Sequence, residues 1–495
     1  MSNQSHISSY RSIFKATSLF GGVQLWKILI QVIKQKAIAL LLGTAGMGIS
    51  GLYTSSINLI QGLTSLGLDK SAVKNVAEAN GNGNLNSVSR VVSALQRLVW
   101  ITGILGMTIS ILFAPVLSKS AFGTYDYTIP FILLSISILL QQLTAGQSVI
   151  LQGLRKLKNL ATANVLGSFF GLIISLPIYY LFGIKGIVPT LILDSFITLL
   201  LTYYFSHKIK LEPARLTNRE ILEEGKGMLG MGLAMALNGV MVTGVAYITN
   251  IFISRVGGAE QVGLYAAGLA IINSYVGMVF NAMSTDYYPR LASLSNDNEK
   301  CKSVVNQQAE VATLIIAPLA CIFILSAVII IKLLYSNEFL DIVPFMQIAM
   351  LGMLFKVGSW AISYIFLAKG DVKVFVINEF GIKCFNLPLY LILYYMMGLK
   401  GIGLGFLINY MAYFCLVYFI AYRKYNYQMS SGYKMLLLKM LLFVIITFTL
   451  LYFMKNCWVT YTIAIFVTFI CCCFSLRELD KRLSLKSFII QKLHK

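Results

Sequence analysis

The chain consists of long apolar stretches separated by short polar gaps, and most stretches are long enough to cross a membrane. A helix of about 20 apolar residues spans the ~30 Å hydrocarbon core of a bilayer. Measured against this length, the sequence predicts an all-α integral membrane protein with about 14 transmembrane helices. The predicted spans centre on residues 18–40, 49–68, 91–114, 129–151, 163–182, 186–206, 228–253, 262–284, 310–333, 344–367, 374–396, 401–421, 435–454 and 458–476.

Short motifs recur along the chain at a nearly constant offset. The sequence Gly-Ile-Lys-Gly-Ile at residues 183–187 returns as Gly-Leu-Lys-Gly-Ile at 398–402, which is 215 positions later. The sequence Gly-Leu-Tyr at 51–53 returns at 263–265, which is 212 positions later. Because repeated halves with a site between them are a recurrent design of secondary carriers, this duplication predicts a two-lobed transporter.

The spans and the repeat together predict the domain boundaries. Two lobes of six helices are joined by a charged cytoplasmic linker, in which Leu216, Ile221 and Leu222 interrupt the charges and predict an interfacial helix. Two further spans have no counterpart in the repeat and form a C-terminal hairpin. The predicted parts are the N-terminal lobe 1–210, the linker 211–227, the C-terminal lobe 228–425, the hairpin 433–476 and a basic tail 477–495.

Composition and charge exclude a soluble protein and give the topology. The chain is 57% hydrophobic and 12% charged, with a mean hydropathy of +0.76, whereas soluble domains carry about 25% charged residues. The net charge is +21, and the loops on the side of both termini hold 27 Lys and Arg against six in the opposite loops. The positive-inside rule therefore places both termini in the cytoplasm, and the basicity indicates topology instead of a nucleic-acid partner.

Several kinds of chemistry are missing from the sequence. The histidines are His6, His207 and His494, all in tails or the linker, and there is no phosphate-binding Gly-x-x-x-x-Gly-Lys-Ser/Thr loop. The eight cysteines include no Cys-x-x-Cys pair and are interpreted as packing residues; Cys457 is the one candidate for an extracytoplasmic loop. The opening segment has no small-residue cleavage site, so the first apolar run is interpreted as a retained helix. We expect no enzyme activity, no metal and no cofactor.

Polar residues inside the predicted spans fall on single helical faces at steps of three and four. Such a face on one helix could serve only helix-to-helix hydrogen bonding. Because six of these faces come from both lobes, the pattern predicts a shared water-filled cavity between the lobes. Its uncharged candidate lining residues include Gln24, Gln31, Asn58, Gln61 and Asn386.

Lysines outnumber acids in the predicted cavity. The deep lysines are Lys27, Lys34, Lys356 and Lys383, and each costs at least ~2.5 kcal/mol near the bilayer centre. A cationic cavity selects an anion, and lysine binds phosphate as a point charge. Lys356 has no local partner in the sequence and is the strongest candidate.

Each of the other charges has an alternative interpretation. Lys34 could snorkel to the interface, and Glu379 could form an internal i, i+4 ion pair with Lys383. Asp194 and Glu379 are candidates for ion coupling, since a carboxylate in apolar surroundings can titrate. Asp194 could equally be the fixed partner of a lysine.

The loops carry motifs whose order and spacing resemble those of a known family. The first motif extends from Gly-Thr-Ala-Gly at 43–46 to Gly-Leu-Tyr at 51–53. The second is Thr-Asp-Tyr-Tyr-Pro-Arg at 285–290, and the third is Leu-Ala-Lys-Gly-Asp at 367–371. With the arrangement of six, six and two spans, the whole chain resembles a polysaccharide transporter, an O-antigen flippase, of the multidrug/oligosaccharidyl-lipid/polysaccharide exporter superfamily.

The resemblance implies two lobes that form a V and open alternately to each side of a bacterial inner membrane. It implies transport of an undecaprenyl-diphosphate-linked oligosaccharide to the periplasmic leaflet, with the diphosphate against Lys27, Lys356 and Lys383 and the sugars against the Gln, Asn and Ser faces. The implied partners are this lipid-linked substrate, the bilayer and other O-antigen assembly proteins. Arg290 ends the motif after the eighth span and is a gating candidate.

Three competing interpretations remain. A drug exporter of the same superfamily would share the architecture, but its cationic, apolar substrates favour acidic and aromatic cavity walls, in contrast to the excess of lysines here. A membrane enzyme, such as an O-antigen polymerase, would need a sizeable periplasmic loop, which the sequence lacks. A structural scaffold would leave the deep lysines unexplained.

Overall fold

A computed structural model of the chain describes residues 2–81, 85–209, 214–292, 294, 297–454 and 458–483. Throughout this part of the chain the regular structure is helical, so the predicted all-α class is confirmed. The α-helices are α1 (Ser2–Thr64), α2 (Leu68–Gly81), α3 (Leu85–Phe122), α4 (Thr128–Gly153), α5 (Leu157–Phe182), α6 (Ile187–His207), α7 (Asn218–Ala292), α8 (Asn298–Leu334), α9 (Val343–Ala368), α10 (Val372–Met397), α11 (Leu399–Tyr425), α12 (Ser431–Phe453) and α13 (Trp458–Leu483).

Two of these helices are broken by a glycine with positive φ. Gly43 (φ 66°, ψ −167°) interrupts α1, and Gly258 (φ 82°, ψ 172°) interrupts α7. This region of φ is unfavourable for residues with a side chain, which explains why glycine occupies both positions. With each broken helix counted as two segments, every predicted span is centred on its own helical segment.

The number of membrane crossings stays a prediction. Length and hydropathy select 11 helical stretches that could span a membrane within the described part of the chain. Three of them contain a break or a tight turn, namely Leu29–Thr64, Leu157–His207 and Gly239–Asn273. The arrangement of the lobes as a V likewise stays a prediction.

The backbone repeats at the same offset as the sequence motifs. Gly183 (φ 54°, ψ −133°) ends α5, and its N–H donates to the carbonyl of Tyr179. Gly398 (φ 61°, ψ −143°) ends α10, and its N–H donates to the carbonyl of Tyr394. Both pairs, like the two helix breaks, lie 215 positions apart, so the duplication extends to local backbone conformation.

The chain divides into two compact units, Met1–Gly263 and Leu264–Lys495. The first unit contains a helix that the sequence analysis missed, α2. This helix has 14 residues, which is too short to cross a bilayer. Its Leu68, Ala72 and Val76 are buried in a cluster with Leu95 of α3 and Val149 of α4.

The described part of the linker packs on this same cluster. Leu216 and Ile221 are buried in it, so the expectation that they face the membrane interface is wrong. Arg90 of α3 forms ion pairs with Glu220 (3.3 Å) and Glu224 (3.0 Å) at the start of α7. These contacts attach the beginning of α7 to α3.

Within the first unit, α1 and α7 cross at a close backbone contact. A Cβ atom at Gly48 would lie 1.7 Å from the carbonyl oxygen of Ala259, and one at Gly263 would lie 2.0 Å from that of Thr44. The crossing therefore requires glycine on both helices.

In the second unit, the C-terminal hairpin packs against α8. Asn306 of α8 accepts a hydrogen bond from the Ser430 N–H (3.0 Å), which precedes α12. Glu310 forms an ion pair with Arg482 of α13 (2.9 Å), and Ser475 donates to the Leu314 carbonyl. Residues 455–457, which include Cys457, lie outside the described residues.

Candidate functional site

In the first unit, the structure joins two of the predicted charged residues. Lys34 of α1 donates to the carboxylate of Asp194 on α6 and forms an ion pair with it. The two side chains are 25% and 23% exposed. Because both groups are largely withdrawn from water, each depends on the other for charge compensation.

Positions on α5 and α6 next to this pair leave space for it and form a hydrogen bond to a neighbouring helix. A Cβ atom at Gly171 of α5 would lie 2.5 Å from the Asp194 Oδ1 atom, so glycine leaves space for the carboxylate. Next to Asp194, Ser195 accepts a hydrogen bond from Gln141 of α4 (3.3 Å). Gln141 belongs to the polar face predicted for the fourth span, so at least part of that face makes a helix-to-helix hydrogen bond.

Three other candidates of the first unit have described side chains, and none of the three forms a hydrogen bond or ion pair with Lys34 or Asp194. Gln31 and Asn58 are exposed, and Gln61 is half-buried. The side chains of Gln24 and Lys27 lie outside the described part of the structure. Substrate binding by these residues stays a prediction.

In the second unit, Lys356 of α9 is surrounded by aromatic rings. Its Nζ atom lies 5.1 Å from the ring centre of Tyr410, 5.6 Å from that of Phe406 and 5.7 Å from that of Phe280. A ring face attracts a cation without neutralising its charge. Among the residues whose side chains the structure describes, no carboxylate forms an ion pair with Lys356.

Glu379 and Lys383 of α10 form the i, i+4 ion pair that was one of the two alternatives for them. The Lys383 Nζ atom lies 2.7 Å from the carboxylate of Glu379. Tyr413 of α11 donates to the same carboxylate at 2.5 Å. Tyr413 and Tyr410 are three residues apart on α11, so this helix contributes to the surroundings of both Lys383 and Lys356.

Two further candidates of the second unit have their own surroundings. Asn386 is half-buried, one turn beyond Lys383 on α10. The Arg290 Nη2 atom donates to Gln308 of α8 (3.2 Å). The roles proposed for them in substrate binding and gating stay predictions.

The sequence analysis did not identify the aromatic residues around Lys356 or the contact of Tyr413 with Glu379. Phe406 and Tyr410 are four residues apart on α11, a spacing that puts both rings on one helix face. That spacing was a usable signal for part of the site. The contribution of Phe280 from α7 was not readable, because it depends on the packing of α7 near α9.

Outside the spans, each unit has a carboxylate held by local donors. Glu220 has its pKa lowered, first by the Thr217 backbone and side-chain donors and then by Arg90. Asp371 has its pKa lowered by hydrogen bonds from Tyr425 and Lys424. Both carboxylates are therefore stabilised in the charged form at the ends of helices.

Comparisons with known proteins identify the family. The chain matches the model of the family described as "Polysaccharide biosynthesis protein" over residues 37–344. It is 23% identical to the lipid III flippase of Escherichia coli K12 over 379 residues, which cover 74% of this chain and 88% of the flippase. The lipid III flippase of Shigella flexneri matches to the same extent.

Solved structures share the fold. The lipid II flippase MurJ in an inward closed conformation has a TM-score of 0.69 and 13% identity, covering 94% of this chain and 99% of MurJ. An inward-facing multidrug resistance MATE family transporter of the MOP superfamily also has a TM-score of 0.69, with 16% identity, covering 81% and 94%. The resemblance to a polysaccharide transporter of this superfamily is thereby confirmed, and the chain belongs to the polysaccharide biosynthesis protein family of membrane proteins.

Proposed function

We propose that the protein is a flippase that moves a lipid-linked oligosaccharide, an undecaprenyl-diphosphate-linked O-antigen or polysaccharide repeat unit, from the cytoplasmic to the periplasmic leaflet of the bacterial inner membrane. The family match and the similarity to lipid III flippases support this class of substrate. Two repeated lobes would open alternately to each side, as in other secondary carriers. Both termini would lie in the cytoplasm, and other O-antigen assembly proteins would supply or receive the substrate.

Lys356 is the observation that carries this proposal. A lysine that lies among ring faces, and that forms an ion pair with none of the described carboxylates, leaves its ammonium group available to a ligand. The diphosphate of the substrate is a compact anion that such an ammonium group binds as a point charge. The sugars would then lie against amide and hydroxyl side chains such as Gln31, Asn58 and Asn386.

The paired lysines give a route to ion coupling. While Asp194 is ionised, it holds Lys34. A proton taken up by Asp194 would remove this attraction and release Lys34 for the diphosphate. The same exchange could occur at Glu379 and Lys383. Transport would then depend on pH through a carboxylate that competes with the substrate.

A multidrug exporter is the alternative function, since the MATE transporter shares the fold. Exporters of cationic compounds need an acidic or aromatic site to attract a cation. The charge of Lys356 would repel such a substrate at short range. The lysine itself, more than the rings around it, therefore favours an anionic substrate.

Complementation of a flippase-deficient Gram-negative strain tests the proposal. The strain must supply the matching sugar unit, and lipopolysaccharide ladders are read on a gel. We expect the wild-type chain to restore the ladders, Lys356→Ala to abolish them, and Lys356→Arg to retain a part of them because it keeps the charge.

The matched control is Lys439→Ala, because Lys439 is an exposed lysine of α12 over a single ring, Phe474. It should leave the ladders unchanged. Normal ladders with Lys356→Ala would remove Lys356 from the site. No ladder with the wild-type chain, together with export of a cationic dye, would establish the multidrug alternative.

A further inference from the structure

A cavity in the first unit has no part in the proposed transport site. It has a volume of about 590 Å³ and lies between α3, α4, the end of α6 and the linker. Its lining includes Arg97, Trp100, Gln147, Tyr203 and Arg215. Gln147 and Tyr203 lie near the ends of α4 and α6, and Arg97 and Trp100 lie in the first half of α3. The positive-inside rule assigns these ends of the helices, and the linker with Arg215, to the cytoplasmic side.

The described part of the linker packs against α3 and forms one wall of this cavity. The N–H of Ala214 donates to the Ser93 Oγ atom (3.0 Å). Two residues later, Leu216 is buried in the apolar cluster with 6% exposure. Arg215 lies between these two attachment points and lines the cavity. Its position is therefore fixed by the backbone on both sides.

The cavity presents donors and positive charge. Arg97 and Arg215 line it, and none of its lining residues in the described part of the chain is Asp or Glu. Neither arginine forms an ion pair within the described part of the chain, whereas Arg90, two turns earlier on α3, is paired with Glu220 and Glu224. The Gln147 Oε1 atom accepts from Ser206 (2.6 Å), which leaves the amide nitrogen of Gln147 as a donor.

Two aromatic residues of the cavity lining are exposed at the surface of the protein. Trp100 is 51% exposed and Tyr203 is 46% exposed. Tyr203 stacks on His207 with ring centres 4.1 Å apart. Exposed Trp and Tyr rings are typical of the level of the lipid headgroups, and a soluble anion would gain nothing from them.

We propose that this cavity binds the phosphate headgroup of an anionic phospholipid of the cytoplasmic leaflet. Arg97 and Arg215 would contact the phosphate, since guanidinium groups bind phosphate through two parallel hydrogen bonds. Trp100 and Tyr203 would lie beside the glycerol and the upper acyl chains. Basic pockets between membrane helices on this side of the bilayer are suited to anionic headgroups.

The binding of phosphatidylglycerol to the purified full-length chain tests the proposal without reference to transport. Native mass spectrometry of the detergent-solubilised protein counts retained lipids after addition of phosphatidylglycerol or, as a neutral comparison, phosphatidylcholine. We expect wild type to retain phosphatidylglycerol preferentially, and each of Arg97→Gln and Arg215→Gln to reduce its occupancy about fivefold. Millimolar inorganic phosphate should not displace the lipid.

The matched control is Arg219→Gln, since Arg219 is 89% exposed and makes only a surface ion pair with Glu223. It should retain the lipid as wild type does. Equal retention by the Arg97→Gln/Arg215→Gln variant, equal retention of the two lipids, or displacement by inorganic phosphate would each overturn the proposal. If the arginine variants do not fold, a variant in which the other three tryptophans are replaced by Phe gives a second test. In this variant, quenching of Trp100 fluorescence by brominated phosphatidylglycerol would support the site. The absence of quenching would overturn the proposal.

Discussion

Two lysines within predicted spans, Lys34 in the first unit and Lys356 in the second, have different surroundings. In the first unit, Lys34 is neutralised by Asp194 on another helix. In the second unit, Lys356 lies among three ring faces, and no carboxylate of the described side chains forms an ion pair with it. The repeat counterpart of Asp194, 215 positions later, is Asn409. The duplication therefore preserved the backbone while the charges diverged.

This difference indicates which lysine can bind an anion directly. A carboxylate partner competes with a phosphate for the ammonium group, whereas an aromatic ring does not. Lys356 would thus be a standing anion site, and Lys34 would become one only after its partner is protonated. Charge compensation, more than depth in the span, separates the two.

Placing a carboxylate beside Lys356 should give the largest effect on transport, because it gives Lys356 the kind of partner that Lys34 has in Asp194. Tyr410 has the ring nearest to the Lys356 Nζ atom, and Tyr410→Glu should neutralise that lysine. We expect flippase complementation to fall at least about tenfold, as for the loss of a charge-assisted contact. Tyr410→Gln has nearly the same shape without the charge and should retain most of the activity. Equal losses in both variants would show that the ring, and not the charge, is required.

Removal of one partner of the Lys34–Asp194 pair should destabilise the protein. Asp194→Asn leaves Lys34 uncompensated, and we expect a loss of roughly 1–3 kcal/mol, less than for a fully buried pair because both side chains are about a quarter exposed. Adding Lys34→Met should recover most of it. A double-mutant cycle on thermal unfolding in detergent measures this coupling. Lys356→Met should show no such coupling with Asp194→Asn, and additive losses for the Lys34–Asp194 cycle would contradict the ion pair.

The pH profile of transport separates a coupling role of Asp194 from a purely structural one. We expect the Asp194→Asn/Lys34→Met variant to lose the pH dependence of complementation or of lipid flipping in vesicles, because the competing carboxylate is gone. Lys439→Ala again serves as the control. An unchanged profile would reduce Asp194 to a structural partner of Lys34.

A methyl group placed against the Lys34–Asp194 pair should reduce stability less than the removal of Asp194 does. Gly171→Ala would place a Cβ atom 2.5 Å from the Asp194 Oδ1 atom, and we expect a loss of about 1 kcal/mol in thermal unfolding. Gly381→Ala in α10 is the matched control, because nothing lies within 4 Å of its Cβ position. There the gain in helix propensity should stabilise slightly. Opposite signs would support the geometry around Asp194, and a neutral Gly171→Ala would contradict it.

Replacement of the Asp371 carboxylate should have the smallest effect on stability, and that effect should be confined to a defined pH range. Hydrogen bonds from Tyr425 and Lys424 lower the pKa of Asp371 in the folded protein. Its contribution to stability is therefore complete above the ordinary carboxyl pKa of about 4 and is lost as pH falls through the lower folded pKa.

Melting curves of wild type and Asp371→Asn over this range measure the window. The difference between them should be constant from neutral pH to about pH 5 and should shrink below about pH 4. Thr217→Ala, which removes a donor from Glu220 in the first unit, offers a parallel case. A difference that grows on acidification would contradict the lowered pKa of Asp371.

The sequence revealed much of the architecture because membrane helices leave a long, continuous signal. Every backbone polar group in the hydrocarbon core must be bonded within its own helix, so apolar length alone identifies the segments. The repeat was also readable from the sequence motifs at a 215-residue offset, and the similar φ and ψ angles of Gly183 and Gly398 follow the same offset. A search for long apolar stretches does not find helix α2, because its 14 residues bury one face against α3 and α4 instead of crossing the bilayer.

By itself, the sequence determined which charges lie within spans and that lysines outnumber acids among them. The pairing of Glu379 with Lys383 was readable as an alternative, since four residues on one helix fix the distance between them. Only the tertiary structure decided that Asp194 lies against Lys34, 160 residues away, and that rings from α7 and α11 surround Lys356. The reason is physical: periodicity fixes the face of a helix on which a residue lies, while the partner of that face is selected by the packing of all the helices together.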